Sequence, residues 1–139
     1  MSLPAATHLP FRTAAVLGAG VMGSQIAAHL ANAGLTVHLL DIPGDGPDKN
    51  AIVEKAFEKL LKVRPDPFFT KSVSNRLILG NLDDHLPRIS EVDWIIEAVV
   101  EDMQVKRDLM ERVELVAGVS TVISTNTSGI PLHTIAEKR

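Results

Sequence analysis

The stretch that decides the fold is AAVLGAGVMGSQIAAHLANAGLTVHLLD, Ala14 to Asp41. It opens on an apolar run, turns through Gly18, Gly20 and Gly23, continues as an alanine-rich helix, and closes on a second apolar run that ends in an acid. Strand, glycine turn, helix and acid-terminated strand form the context in which G-x-G-x-x-G marks a dinucleotide-binding unit. Gly18 lets the chain turn sharply off the strand, Gly20 lets a pyrophosphate approach the backbone, and Gly23 lets the helix lie close on the sheet. The helix that starts near Val21 and Met22 offers unpaired N–H groups and a positive dipole end to phosphates. Asp41, with Ile42 after it, stands 23 positions beyond Gly18, where a carboxylate accepts hydrogen bonds from the adenosine ribose. Like charges about 4 Å apart repel by roughly 4 kcal/mol at an effective dielectric near 20. That is nearly a thousandfold in affinity, so the cofactor expected is NAD rather than NADP.

Composition narrows the setting. The 139 residues are 45% hydrophobic and 22% charged, the balance of one soluble globular domain with its own core. A net charge of −3 argues against a nucleic acid partner. With no cysteine there is no disulfide scaffold or thiolate metal site, which fits a reducing, cytoplasmic compartment. No apolar run approaches the ~20 residues a membrane helix needs, and the N-terminus lacks a signal-peptide layout. Residues 1–11 are expected to form a flexible tail and 12–139 the domain.

The remaining pattern predicts an α/β fold, a Rossmann-type open parallel sheet with a helical insertion after the second strand. The first helix, Val21 to Ala33, shows Met22, Ile26, Leu30 and Ala33 at helical spacing. Strand two, from Leu35 to Leu40, contains His38, read as a strand histidine with a hydrogen-bond partner. The insertion, about 45–76, holds an amphipathic helix with Ile52, Ala56, Leu60 and Val63 as its stripe, and Phe57 and Leu61 widening it. The prolines of RPDPFF stop it, and Phe68 and Phe69 are expected to fold back on it. Lys55, Lys59, Lys62, Arg64 and Lys71 read as a solvated face balanced by Glu54 and Glu58. Strands are then expected at Leu77 to Leu82, Asp93 to Val100 and Thr121 to Thr125. A helix from Met103 to Ala117 lies between the last two, with Val105, Leu109, Val113 and Val116 as its stripe. In such a sheet the ligand lies outside the carboxyl ends of the strands. That rule selects Gly18 to Gly23, Asp41, Ala98 to Glu101 and Asn126 to Ser128.

Three motifs make the chain resemble the NAD-binding domain of L-3-hydroxyacyl-CoA dehydrogenases of fatty-acid β-oxidation. They are GAGVMGSQIA at Gly18 to Ala27, DWIIEAVVEDMQVK at Asp93 to Lys106, and STNTSGI at Ser124 to Ile130. The KLLKVRPDP segment, Lys59 to Pro67, is similar to the large multifunctional members. The resemblance implies that Glu101 and Lys106, beside Ala98 and Val99, line the NAD site. Ser128 would lie between the nicotinamide and the substrate's 3-hydroxyl, with Asn126 beside it. The helical segment would receive an acyl-CoA, with Lys59, Lys62 and Arg64 as phosphate contacts, although Ala56 stands where the family's arm carries a serine. The family's general base, a histidine held by a glutamate, and the helical domain through which members dimerise would fall beyond Arg139. His133 and Glu137, four apart on the last helix, read as an exposed pair and not as that base. The chain is therefore expected to bind NAD without turning over. Two other readings stay open: a different β-hydroxyacid dehydrogenase, and a non-catalytic NAD-binding module.

Overall fold

The computed structural model describes residues 11–99 and 102–125. Its centre is a five-stranded, all-parallel sheet in the order β3-β2-β1-β4-β5. The strands are β1 (Thr13–Leu17), β2 (Thr36–Asp41), β3 (Leu77–Asn81), β4 (Trp94–Glu97) and β5 (Val122–Thr125). Among the described residues three α-helices accompany them: α1 (Val21–Asn32), α2 (Ala51–Leu61) and α3 (Met103–Val116). The chain builds outward from β1 to β3, then returns to the other side of β1 for β4 and β5. The ladder falls in register along its length, with Leu17 beside Leu40 on one side and beside Glu97 on the other.

Alternation along the strands divides the core between the two sheet faces, as period-two side chains must. Ala14, Val16, Val37, Leu39 and Ile96 face α1 and α2, while Ala15, Leu17, Leu40 and Ile95 face α3 and the 3-10 turn Leu86–Glu91. Both faces being covered explains why these strands read as continuous apolar runs. The helical segment does follow the second strand, and it also serves as the crossover that brings β3 parallel to β2.

The helix faces differ from those expected. On α1 the buried residues are Gly23, Ser24, Ala27, Ala28, Leu30 and Ala31, whereas Met22 is 60% exposed and Ala33 is exposed. Close packing on a sheet selects small side chains, so the larger Met22 turns out. On α2 the inner face is Val53 and Leu60 with Ala56 and Phe57, and Ile52 and Leu61 turn outward. On α3 it is Lys106, Leu109, Met110 and Val113, and Val105 is 41% exposed. Phe68 enters the core beside α2, but Phe69 is 80% exposed, its N–H held by the Asn32 side chain.

At the amino end of the sheet, Asp93 ties β4 to β1. Its carboxylate accepts from the N–H groups of Arg12 and Thr13 at 2.8 and 3.1 Å, and these bonds hold its pKa below the ordinary 3.8. His38, in β2, has a buried Nδ1 with no hydrogen-bond partner among the described residues, against the expectation of a bonded ring. Burial, and secondarily the Arg88 guanidinium, hold its pKa below the usual 6.5. Among the described residues no helix is long and apolar enough to cross a membrane.

Candidate functional site

The carboxyl ends of β1, β2 and β4 meet at the glycine turn. Gly18 leaves β1 with φ +109°, a backbone state costly for any side chain. A Cβ there would also lie 2.6 Å from the Ala98 carbonyl oxygen, and one on Gly23 would lie 1.8 Å from the Gly18 carbonyl oxygen. Both glycines are thus demanded by the protein's own packing. Gly20 is different. Its φ of −66° and ψ of −171° are extended backbone open to any residue, and a Cβ on it would meet nothing within 4 Å. Among the described residues nothing explains a glycine at position 20, and the space above it is open to a ligand that approaches the backbone.

Gly20 is the N-cap of α1, with no side-chain cap and no acid in the first turn. The helix therefore presents its positive end at that place with no acidic side chain of its own first turn to offset it. Asp41, half-buried at the end of β2, is aimed at the same turn. Its Oδ2 accepts from the Ala19 N–H at 2.9 Å and its Oδ1 from the Ile42 N–H at 2.7 Å. These bonds fix the carboxylate beside the glycine turn and leave each oxygen further lone-pair capacity.

Two clefts open from this point and share Gly20, Asp41 and Ile52. One, of about 540 Å³, runs across the sheet end past Ile42, Ala98, Val99, Asp108 and Arg112. The other, of about 390 Å³, lies between Val21, Ser24 and Gln25 of α1 and Lys55, Ala56 and Lys59 of α2. Helix α2 is held in place at its start by Asn81, buried at the end of β3, whose Nδ2 donates to Asn50 Oδ1 at 2.8 Å.

The structure thus gathers Gly18, Gly20, Gly23, Val21, Asp41, Ile42, Ala98 and Val99 at one sheet end. Met22 is exposed on the first turn of α1 and lines neither cleft. Of the three basic residues expected at a phosphate, Lys59 lines the smaller cleft together with Lys55. Lys62 caps the end of α2, and Arg64 folds back to donate to the carbonyls of Leu61 and Val63. Lys106, expected to line the cofactor site, is 0% exposed and sits in an ion pair with Glu97, its Nζ 2.7 Å from Oε2. Glu97 is the residue sequence reasoning missed. A lone acid inside the apolar run WIIEAVV, nine positions before a lysine, was the available signal. Glu101, Asn126, Ser128, His133 and Glu137 lie outside the described residues, as do Met1 to Pro10.

Comparison with known proteins shows the family to which this fold belongs. Residues 13–139 match the family model of the 3-hydroxyacyl-CoA dehydrogenase NAD binding domain. A probable 3-hydroxyacyl-CoA dehydrogenase of Deinococcus radiodurans is 46% identical over 132 residues, covering 94% of this chain and 38% of that protein. The fatty acid oxidation complex subunit alpha of Vibrio parahaemolyticus is 35% identical over 126 residues, covering 88% of this chain and 18% of that protein. The crystal structure of 3-hydroxybutyryl-CoA dehydrogenase from Escherichia coli matches with a TM-score of 0.74 at 28% identity, over 94% of this chain and 27% of the other. The chain therefore spans less than two fifths of the length of these relatives.

Proposed function

Because the chain belongs to the family of 3-hydroxyacyl-CoA dehydrogenase NAD-binding domains, we propose that it holds NAD for the oxidation of an L-3-hydroxyacyl-CoA to the 3-oxoacyl-CoA. The observation that carries this reading is Gly20, a glycine that neither its backbone nor its packing among the described residues requires. Bound NAD supplies the hydride acceptor. The residues of the chain do the binding: the turn at Gly18, Gly20 and Gly23 and the backbone N–H groups of the first turn of α1, those of Val21 and Met22, receive the pyrophosphate. Asp41 and Ile42 take the adenosine ribose, and Ala98 and Val99 form the floor of the larger cleft. Glu101, Asn126 and Ser128 are assigned to the nicotinamide side by motif alone.

The smaller cleft is the candidate for the acyl-CoA. Lys55 and Lys59 place two positive charges on one wall, and Ile52, Ala56 and Leu60 supply apolar surface beside them. This supports Lys59 as a phosphate contact and gives no comparable support to Lys62 or Arg64. The absence of cysteine supports a cytoplasmic setting, and the relatives named as complex subunits or multifunctional enzymes support a place within a larger oxidation enzyme.

Trp94 is the sole tryptophan and opens β4, so energy transfer from it to NADH reports binding directly. Saturable transfer with NADH, and weaker transfer with NADPH, is the expected outcome. Lys59→Ala should weaken binding of acetoacetyl-CoA about tenfold, the scale of one charge-assisted contact of ~1.5 kcal/mol, and leave NADH binding unchanged. An unchanged acetoacetyl-CoA affinity removes the assignment of the smaller cleft.

A further inference from the structure

Helix α2 walls both clefts: Ile52, in its first turn, lines the two of them, and Lys55 and Lys59 line the smaller. Apolar packing of Val53 and Leu60 holds its inner face on the sheet. Such packing is non-directional and does not by itself fix where the helix starts. A directional tie stands at that start. The side chain of Asn81, 1% exposed at the end of β3, uses both its polar atoms. Its Oδ1 accepts from the Asp83 and Asp84 N–H groups at 3.0 and 2.8 Å. Its Nδ2 donates to Asn50 Oδ1 at 2.8 Å and to Asp84 Oδ2 at 3.3 Å. Two backbone donors on Oδ1 settle which way the amide points, so Asn50 must present its oxygen.

The anchor is itself braced. The Asn81 N–H donates to His85 Nδ1 at 2.8 Å, and the Asn81 carbonyl accepts from the His85 N–H at 2.9 Å. The next carbonyl, that of Leu82, accepts from Arg112 of α3 at 2.7 Å. Asparagine at a helix N-cap ordinarily bonds the helix's own N–H groups. Asn50 is the N-cap of α2 and makes no such bond; its side chain turns to Asn81. The helix thus forgoes a local stabilisation in favour of a fixed place against the sheet.

We propose that Asn81 and Asn50 are positioning residues for the acyl-CoA: their hydrogen bond sets the start of α2, and with it the place of Lys59 on the cleft wall. Lys59 follows Asn50 by about 14 Å along the axis at 1.5 Å per residue, so a shift at the start carries to it. Neither asparagine lines the cleft. This deepens the function proposed above and rests on the smaller cleft being the acyl-CoA site.

The test compares Asn50→Ala with Asn50→Asp in the 139-residue chain, by calorimetric titration of acetoacetyl-CoA and of NADH alongside thermal melts. Asn50→Ala removes the acceptor and leaves the Asn81 amide its bond to Asp84, so the chain should still fold. It should weaken acetoacetyl-CoA binding about fivefold, within the range of coupling between contacting residues, and change NADH affinity by less than about twofold. Asn50→Asp keeps an oxygen opposite the Asn81 amide. At physiological salt, where its added charge is screened beyond about 8 Å, it should restore acetoacetyl-CoA affinity to within about twofold of wild type. In a Lys59→Ala background the effect of Asn50→Ala should shrink to about twofold or less.

A lower melting temperature with acetoacetyl-CoA affinity unchanged marks the tie as merely structural and overturns the proposal. So does NADH affinity that falls in step, an equal loss in Asn50→Ala and Asn50→Asp, or an undiminished effect in the Lys59→Ala background. Asn81→Asp gives a second route, because it keeps the oxygen that holds Asp83 and Asp84 and turns an acceptor towards Asn50. It should reproduce the selective loss, and unchanged acetoacetyl-CoA affinity in that variant refutes the tie. A wild-type chain that binds no acetoacetyl-CoA refutes the reading of the smaller cleft itself, a failure distinct from the others.

Discussion

Gly20→Ala separates the requirements of the ligand from those of the fold. The position has ordinary extended backbone and, among the described residues, no atom within 4 Å of an added Cβ, so the folded state should accept the methyl without strain. The unfolded chain loses freedom with it, which stabilises by about 0.4–1 kcal/mol where the native backbone is compatible. A thermal melt should therefore show Gly20→Ala at or slightly above the wild type. A pyrophosphate resting on that backbone would meet the methyl at contact distance. Forcing an extra methyl into a filled contact costs about 1–3 kcal/mol, or roughly fivefold to 150-fold in affinity for NADH. Gly23→Ala is the opposing control. Its Cβ would lie 1.8 Å from the Gly18 carbonyl oxygen, so backbone must move and the melting temperature must fall. Energy transfer from Trp94 gives both affinities. Gly20→Ala binding NADH within twofold of wild type would show that nothing approaches the turn there, and a large loss of stability in that variant would show that the fold itself needs the glycine.

Asp41→Ala should narrow the preference for NADH over NADPH from about a thousandfold towards parity, because the repulsion of ~4 kcal/mol at the 2′ position is removed. Competition titrations with both cofactors read this, and unchanged discrimination places the selecting group elsewhere. Asp93 has its pKa depressed in the fold, so its contribution is full above the ordinary 3.8 and is lost as pH falls below it. Asp93→Asn should accordingly melt earlier than wild type at pH 7, with the gap shrinking in the most acidic buffers; a gap independent of pH contradicts the assignment. His38 is also depressed, so wild-type stability should fall as pH drops below 6.5, where the unfolded ring takes a proton that the buried one resists. His38→Leu removes that slope and the unbonded Nδ1. Equal slopes for variant and wild type between pH 6.5 and 4.5 would locate the effect in another group.

The sheet and the glycine turn were legible because their determinants are local and near-obligatory. A strand covered on both faces must be apolar throughout, and the turn needs glycine at Gly18 and Gly23 whatever ligand is present. Asp41 was legible from its distance to that turn. The helix faces were not. Periodicity ranks positions by hydrophobicity, so it favoured Met22 and Val105, while packing against a sheet ranks them by size and fit and buried Gly23, Ser24 and Ala28 instead. Lys106 was illegible as a buried residue for a related reason. A lysine reads as solvated unless its partner is found, and Glu97 stood within an apolar strand that had already been explained. The basic residues of the helical segment were visible as a group, but only the fold separates Lys55 and Lys59, which face the cleft, from Lys62 and Arg64, which do not.

The pairing of β1 on both sides also sets an order of assembly. On one side its partners are near in sequence, with Ala19 and Asp41 separated by 22 residues; on the other, Thr13 meets Asp93 across 80. Closing the longer loop costs about 1 kcal/mol more chain entropy by logarithmic scaling, and distant parallel pairings form slowly. The half holding the glycine turn and Asp41 can thus form from local contacts, while the floor at Ala98 and Val99 arrives with β4, the more distant partner of β1. A dinucleotide that needs both halves can only bind after that step. Its binding energy then holds the late-docking half in place against local opening, and hydrogen exchange in β4 is where that protection would be largest.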